Sequence, residues 1–421
     1  VRSRRQRQMC IRDRSKTDWV NLTDNLKKNI TWNTVGSIAY LACQWLTTVA
    51  VVRLSSDFTY AGDLSLAMTI SNLFVPIGLY KIRSFQVSDL SCEYSSGEYI
   101  GFRLSTIVLG FVFVLPYAFF TCQQSSLLPV YLYCIYKSIE VMVDVFHGID
   151  QKAGNMIYCG MSMLLRGILS LLVFCAGMYI SHSLVLSIVL MIAVSLPVMI
   201  VDARWASNFD SIVPSFRFKA MSELFYKCLP ATVGVFCCAA VTSVSRQELA
   251  TVLGASMLGV YSSVCSPAAI VQAGAANAYA PLLGAFASAS ESEDKKTFNT
   301  MLMKVVLGAV VLSIVILFAC FICGDYLLGL IFGDQIHQYS FLLYGAVISS
   351  LLTAFIGFFS DLTIVKRKMA GNLVGNLVAL IVAVPLSSLL IQLFGPNGTS
   401  VAISLAYLVG CVAMLPCIIR K

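Results

Sequence analysis

Residues 127–149 read LLPVYLYCIYKSIEVMVDVFHGI, and residues 155–179 read NMIYCGMSMLLRGILSLLVFCAGMY. Two long apolar runs flank a short polar turn, Asp150 to Asn155. At about 1.5 Å of rise per residue, each run can cross a hydrocarbon core of about 30 Å as a helix. Neither alternates apolar and polar positions, as barrel strands of about ten residues do. The pair therefore reads as two membrane-crossing helices joined by a hairpin turn. Lys137 and Arg166 each lie about a dozen residues from that turn, about 18 Å along the axis. Both are expected near mid-bilayer, where a charge is costly and marks a pathway or a binding site. Two buried cations at one depth fit an anionic guest.

The rest of the chain has the same character. Of 421 residues, 58% are hydrophobic and 12% charged, and mean hydropathy is +0.82. The composition is that of an all-α polytopic membrane protein. About twelve transmembrane helices are expected, at 31–53, 60–80, 101–121, 127–149, 155–179, 183–203, 225–246, 256–281, 299–323, 338–360, 369–393 and 398–419. The fifteen Cys are scattered through apolar runs, without a zinc spacing or a disulfide framework. The three His (His147, His182 and His337) form no metal-ligand spacing, so no metal is expected.

Charge places the connections. Lys81, Arg83, Arg103, Lys152, Arg204, Arg217, Lys219, Lys295, Lys296, Lys366, Arg367, Lys368, Arg420 and Lys421 fall at one end of the molecule. The opposite connections, 54–59, 122–126, 180–182, 324–337 and 394–397, contain no Lys or Arg. By the positive-inside rule the basic end, and with it both termini, is expected in the cytoplasm. Nine of the 29 Lys and Arg lie in the first 28 residues, so a net charge of +8 implies no nucleic acid. Residues 1–14, VRSRRQRQMCIRDR, fit nothing downstream and read as a basic segment that is either non-native or disordered.

The expected organisation is a cytoplasmic N-terminal segment at 15–29, a six-helix bundle at 30–203, a cytoplasmic linker at 204–224 and a second six-helix bundle at 225–421. The linker carries Phe216, Arg217, Phe218 and Lys219, which suits either an amphipathic piece along the membrane surface or a solvated connection. The halves echo one another. Arg53 and Arg246 each end the first span of a half, and Gly62 and Gly259 each open the next. The connections are too short to hold a nucleotide-binding domain, and no GxxxxGK[ST] phosphate loop occurs. Any energy coupling therefore falls to an H+ or Na+ gradient or to the membrane potential, with no cofactor. An enzyme is disfavoured.

The candidate residues follow. Lys137, Glu140 and Asp144 share one helical face through their i, i+3 and i+7 spacing. One reading is a Lys137–Glu140 pair that fixes packing. The other is a hydrated cavity wall on which Lys137 and Arg166 hold a phosphorylated guest, with Glu140 or Asp144 as ion-coupling or charge-pairing carboxylates. Arg53 and Arg246 are expected to ring the non-basic end of that cavity, although each also suits a snorkelling anchor. A polar stripe on the first span, including Asn33, Tyr40 and Gln44, suits either a cavity wall or helix–helix contacts.

Several stretches resemble polysaccharide flippases of the Wzx type, in the MOP superfamily that also contains multidrug extruders of the MATE kind. They are Trp32-Asn33 with Gly36-Ser37, Tyr40, Gln44 and Arg53-Leu54; Gly78-Leu79-Tyr80 with Arg83, Gln86-Val87-Ser88-Asp89, Tyr99 and Arg103; Lys137, Glu140, Asp144, Gly148, Gln151-Lys152, Gly160, Ser162 and Arg166-Gly167; and Arg246 with Leu253-Gly254 and Leu258-Gly259-Val260-Tyr261. Where such proteins often carry Pro-Arg, this chain has Ser245-Arg246. The resemblance implies two six-helix bundles in a V that opens alternately to either side. It implies translocation of undecaprenyl-pyrophosphate-linked repeat units of O-antigen, capsule or exopolysaccharide across a bacterial inner membrane. A polysaccharide polymerase and a chain-length regulator are then the implied protein partners, with membrane lipids around the bundles. The alternative is an ion-coupled extruder of organic cations on the same fold, which would want an acidic or aromatic cavity.

Overall fold

A computed structural model describes residues 16–55, 58–89, 92–269, 295–366 and 368–419, with residues 272, 279, 282, 283, 286 and 289 between the third and fourth stretches. Residues 1–14, the loop acids Glu291, Glu293 and Asp294, and the basic residues Arg367, Arg420 and Lys421 lie outside them. The helices are α1 (Lys16–Leu54), α2 (Thr59–Leu79), α3 (Ile82–Ser88), α4 (Ser96–Thr121), α5 (Gln124–Lys152), α6 (Met156–Ser181), α7 (Leu184–Ser207), α8 (Phe218–Leu253), α9 (Ala255–Cys265), α10 (Lys295–Phe332), α11 (Leu342–Val365), α12 (Met369–Phe394) and α13 (Asn397–Ile419).

Among the described residues, eleven helices are long and apolar enough to cross a membrane. The chain is a multi-pass membrane protein with an all-helical fold. The eighth expected span, 256–281, is described over 256–269, where α9 runs into a short 3-10 helix at Ser266–Ala268, and at 272 and 279.

Three segments outside the expected spans are partly helical. The segment 15–29 is helical from Lys16 and continuous with the first span, because nothing between Lys16 and Gly36 breaks a helix. The linker is shorter than 204–224. α7 runs to Ser207 and α8 begins at Phe218, leaving 208–217 to cross between them. Arg217 pairs with Glu98 at 2.6 Å, and the Ser215 amide donates to the Gly97 carbonyl at 2.8 Å. The linker is thereby tied to the start of α4, where Ser95 and Glu98 form a capping box. Phe216 and Phe218 remain exposed. Third, the connection expected over 324–337 is largely helix. α10 continues to Phe332, and a 3-10 helix, Asp334–Tyr339, follows.

Packing is closest within each half. α1 lies along α6, α6 and α5 against α7, and α2 against α5. In the second half α12 packs on α13 and α8, and α11 on α13. The halves meet where α2 crosses α9 and α8. At the α2–α9 crossing backbone meets backbone. A Cβ on Gly62 would lie 1.9 Å from the Ala255 carbonyl oxygen, and one on Gly259 would lie 2.5 Å from that of Phe58. Only glycine permits this approach. One turn further along each helix, the hydroxyls of Ser65 and Ser262 are hydrogen-bonded. The two glycines singled out by sequence therefore face each other across the molecule.

Candidate functional site

Behind that crossing lies a cavity of about 320 Å³ between the halves. α1 contributes Gln44, Trp45 and Thr48; α2 contributes Ser65; α8 contributes Thr242 and Arg246; α9 contributes Tyr261 and Ser262; and α11 contributes Ser349, Ser350 and Thr353. Hydroxyls and amides thus dominate its polar lining. Trp45 Nε1 donates to Ser266 Oγ at 3.1 Å, linking the halves across the wall. The Tyr261 and Ser400 hydroxyls lie 2.8 Å apart and fix the ring of Tyr261. Arg246 is the one basic residue among the described lining residues, and no Asp or Glu is among them. Its Nε is buried without a hydrogen-bond partner.

Lys137 and Arg166 do not line this cavity. They sit one layer behind it, in the first half. Lys137 Nζ donates to Glu140 at 2.7 Å and lies over the rings of Tyr133 and Tyr136. The Tyr40 hydroxyl donates to Glu140, and Gln44 Nε2 donates to that hydroxyl at 2.6 Å. Arg166 stacks on the Tyr40 ring at 5.2 Å and acts electrostatically on both Lys137 and Glu140. It is 5% exposed, and its Nε and Nη1 have no hydrogen-bond partner. A crevice of about 10 Å³, lined by Tyr40, Gln44, Tyr133 and Tyr136 among the described residues, adjoins them. That is room for about one water. The expectation that both cations form the wall of a large hollow is thus corrected. Three tyrosines and the Glu140 carboxylate occupy the space around them. Gln44, which borders both cavity and crevice, connects the two through Tyr40 and Glu140.

The remaining expected residues separate. Arg53 leaves the cavity altogether. Its guanidinium donates to the carbonyls of Ile331 at 2.7 Å and Leu330, the last turn of α10. A cation there satisfies orphan carbonyls and complements the helix dipole. The ring of Arg53 and Arg246 is not formed. Asn33 lies half-buried on α1, where the backbone of Trp32 and Asn33 meets Gly160 of α6, and it lines neither void. Asp144 takes Arg83 at 3.1 Å and Arg103 at 2.7 Å, so it belongs to a separate ionic cluster toward the basic end.

That cluster is what the sequence reading missed. Arg83 and Arg103, expected among the charges of the basic connections, are structural. Arg103 is completely buried and also donates to the Gly78 carbonyl at 2.6 Å. Tyr80 and Lys81, both left-handed, turn the chain there from α2 into α3. Beside it, Ser162 donates to Asp202 at 2.7 Å, and His147 Nε2 lies 3.9 Å from the other oxygen of Asp202. A single Asp inside the apolar run VMIVDARW was the available signal.

Helices surrounding an interhalf cavity define the class: a membrane transporter fold of the MATE type. Its likeness to solved structures extends along nearly the whole chain. The lipid II flippase MurJ in an inward closed conformation superposes with a TM-score of 0.71 at 9% identity, over 91% of this chain and 86% of that one. A multidrug resistance MATE family transporter of the MOP superfamily, inward-facing, gives 0.64 at 12% identity over 93% and 94%. A mutant of the Vibrio cholerae MATE transporter VcmN gives 0.59 at 13% identity over 96% and 97%. In sequence, the capsular polysaccharide biosynthesis protein CapF of Staphylococcus aureus is 25% identical over 393 residues, 92% of this chain and 97% of that protein. No protein-family model matches. The relative is thus a capsular polysaccharide biosynthesis protein, and the solved structures share the fold that the motifs implied.

Proposed function

We propose that this chain is a flippase carrying undecaprenyl-pyrophosphate-linked oligosaccharide repeat units from the cytoplasmic to the outer leaflet of a bacterial inner membrane by alternating access. The supporting observation is the interhalf cavity, lined by hydroxyls and amides and holding Arg246 with an unsatisfied Nε. A sugar is recognised by many small donors and acceptors, and a diphosphate by a forked guanidinium. The prenyl tail stays in the bilayer while the head, too polar for hydrocarbon, passes between the halves. At the Gly62–Gly259 crossing the two halves are in backbone contact, and alternating access would part them there. Lys137 and Arg166 act from behind the wall, their field reaching the cavity through Gln44 and Tyr40.

A pump for cationic drugs on the same fold would want a carboxylate in the cavity, and the described lining holds none. The basic end lies in the cytoplasm on this reading, and a polymerase and a chain-length regulator act downstream. The decisive test is complementation of a flippase-deficient strain, with surface polysaccharide as the readout. The wild-type chain restores the polymer and Arg246→Ala restores at most about a tenth of it, with equal protein in the membrane. Drug export without polymer would overturn the assignment.

A further inference from the structure

Beyond the ionic pairs already described, the basic end of the first half holds a group of buried polar atoms with nothing to bind. Asp150, in the last turn of α5, is completely buried. Neither of its carboxylate oxygens has a hydrogen-bond partner. Asp202 of α7 is equally buried, and its Oδ1 is also unpartnered. His147, one turn before Asp150, is 3% exposed, with Nε2 unpartnered and turned toward that oxygen at 3.9 Å. Asp150 and Asp202 interact electrostatically with each other.

The local charge does not balance. Arg83 and Arg103 are both engaged by Asp144. Three carboxylates (Asp144, Asp150 and Asp202) therefore share two guanidinium groups. Arg166 of α6 and Arg83 of α3 act on His147, and the Cys159 thiol of α6 lies within the same field. Deeper in the half the imbalance is reversed, with Lys137 and Arg166 set against Glu140 alone. Asp150 has no hydrogen-bond partner on either oxygen, and Asp202 has only the Ser162 hydroxyl and a neutral His147 ring at 3.9 Å; two buried negative charges so weakly compensated are not a stable arrangement. One positive charge is missing. Among the described residues no group of three or more His, Cys, Asp or Glu could hold a metal ion, whereas a proton needs only one of these oxygens.

We infer that His147, Asp150 and Asp202 form a proton-binding site at the basic end of the first half, distinct from the cavity and from the Lys137–Glu140 and Asp144 pairs. One proton from the adjoining aqueous phase converts one carboxylate of the group to a neutral carboxyl, and no other bond is made or broken. The Ser162 hydroxyl holds Asp202 in place through its 2.7 Å hydrogen bond. The proton's contribution to transport rests on the flippase reading. Its binding does not, because binding is read without any sugar substrate. On that reading, an anionic guest in the cavity offsets the field of the deeper positive surplus from across the wall and strengthens the hold on the proton, which ties loading to proton uptake.

Infrared difference spectroscopy on the purified full-length chain in lipid nanodiscs, stepped between neutral and alkaline pH, tests the site. A protonated-carboxyl C=O band is expected near neutral pH and lost at high pH. Asp150→Asn and Asp202→Asn each remove it, while Glu140→Gln leaves it. Replacing choline chloride with sodium chloride leaves it as well. Absence of the band in the wild-type chain means that both carboxylates are ionised, whether solvated by trapped water or facing an imidazolium at His147, and overturns the proposal of a neutral carboxyl without recourse to any variant. Its loss on adding sodium assigns the site to that ion instead and overturns it equally. Survival of the band in both Asn variants places the proton elsewhere. If the site holds but polysaccharide complementation fails, the proton site stands and the flippase reading falls.

Discussion

The two halves of this protein bury different chemistry. Up to residue 202 the buried polar residues include Asp63, Asp89, Glu98, Arg103, Asp150, Arg166 and Asp202. Beyond it, among the described residues, they are Ser, Thr, Asn and Gln only, as in Ser245, Ser387, Asn372 and Asn376. The first half is organised by ion pairs and the second by hydroxyls and amides. An ionic interior is held by few strong contacts, each of which leaves an uncompensated charge when broken. A hydroxyl interior is held by many weak ones that are exchanged at low cost. The cavity lies where these two interiors meet, with Arg246 the one cation reaching it from the second half.

The sharpest way to break this comparison is Arg103→Ala. It leaves Asp144 with Arg83 alone and frees the Gly78 carbonyl. A loss of about 3–5 kcal/mol is expected, seen as a collapse of thermal stability in detergent. A loss below about 1 kcal/mol would show that the first half is not ionically organised. Next, Gly259→Val drives a side chain into the Phe58 carbonyl and the Gly62 amide. It should hold the halves apart at the non-basic end, abolishing polymer export while protein remains in the membrane. Normal export would mean that the crossing is dispensable.

Smaller effects sharpen the contrast further. Lys137→Gln should cost more stability than Lys137→Gln combined with Glu140→Gln, because the double variant leaves no lone charge. A coupling of about 1–3 kcal/mol in a double-mutant cycle is expected, and Lys137→Arg should retain more activity than Lys137→Gln. Additive losses would reduce the pair to simple packing. Smallest of all, Ser387→Ala removes the 2.7 Å contact with Ser245. It should lower stability by about 1 kcal/mol, the ordinary magnitude for the second half. A loss as large as that of Arg103→Ala would erase the distinction between the halves.

Hydropathy and loop charge alone fixed the membrane class and the ends of most helices. For α12, 369–393 was expected and Met369–Phe394 is found; for α6, 155–179 was expected and Met156–Ser181 is found. Water and lipid impose those limits residue by residue, so they are written locally. The Lys137–Glu140 pair was also legible, because i and i+3 are neighbours on any helix. Which helix faces which is not a local property. Arg53 and Arg246 look equivalent along the chain, yet one closes the end of α10 and the other enters the cavity. Arg103 looks like a loop charge until α2 and α5 bring Gly78 and Asp144 to it. The sequence could say which side chains are too polar for lipid. Only the packing of distant helices decided whether each meets a counter-charge, a carbonyl, a cavity or nothing.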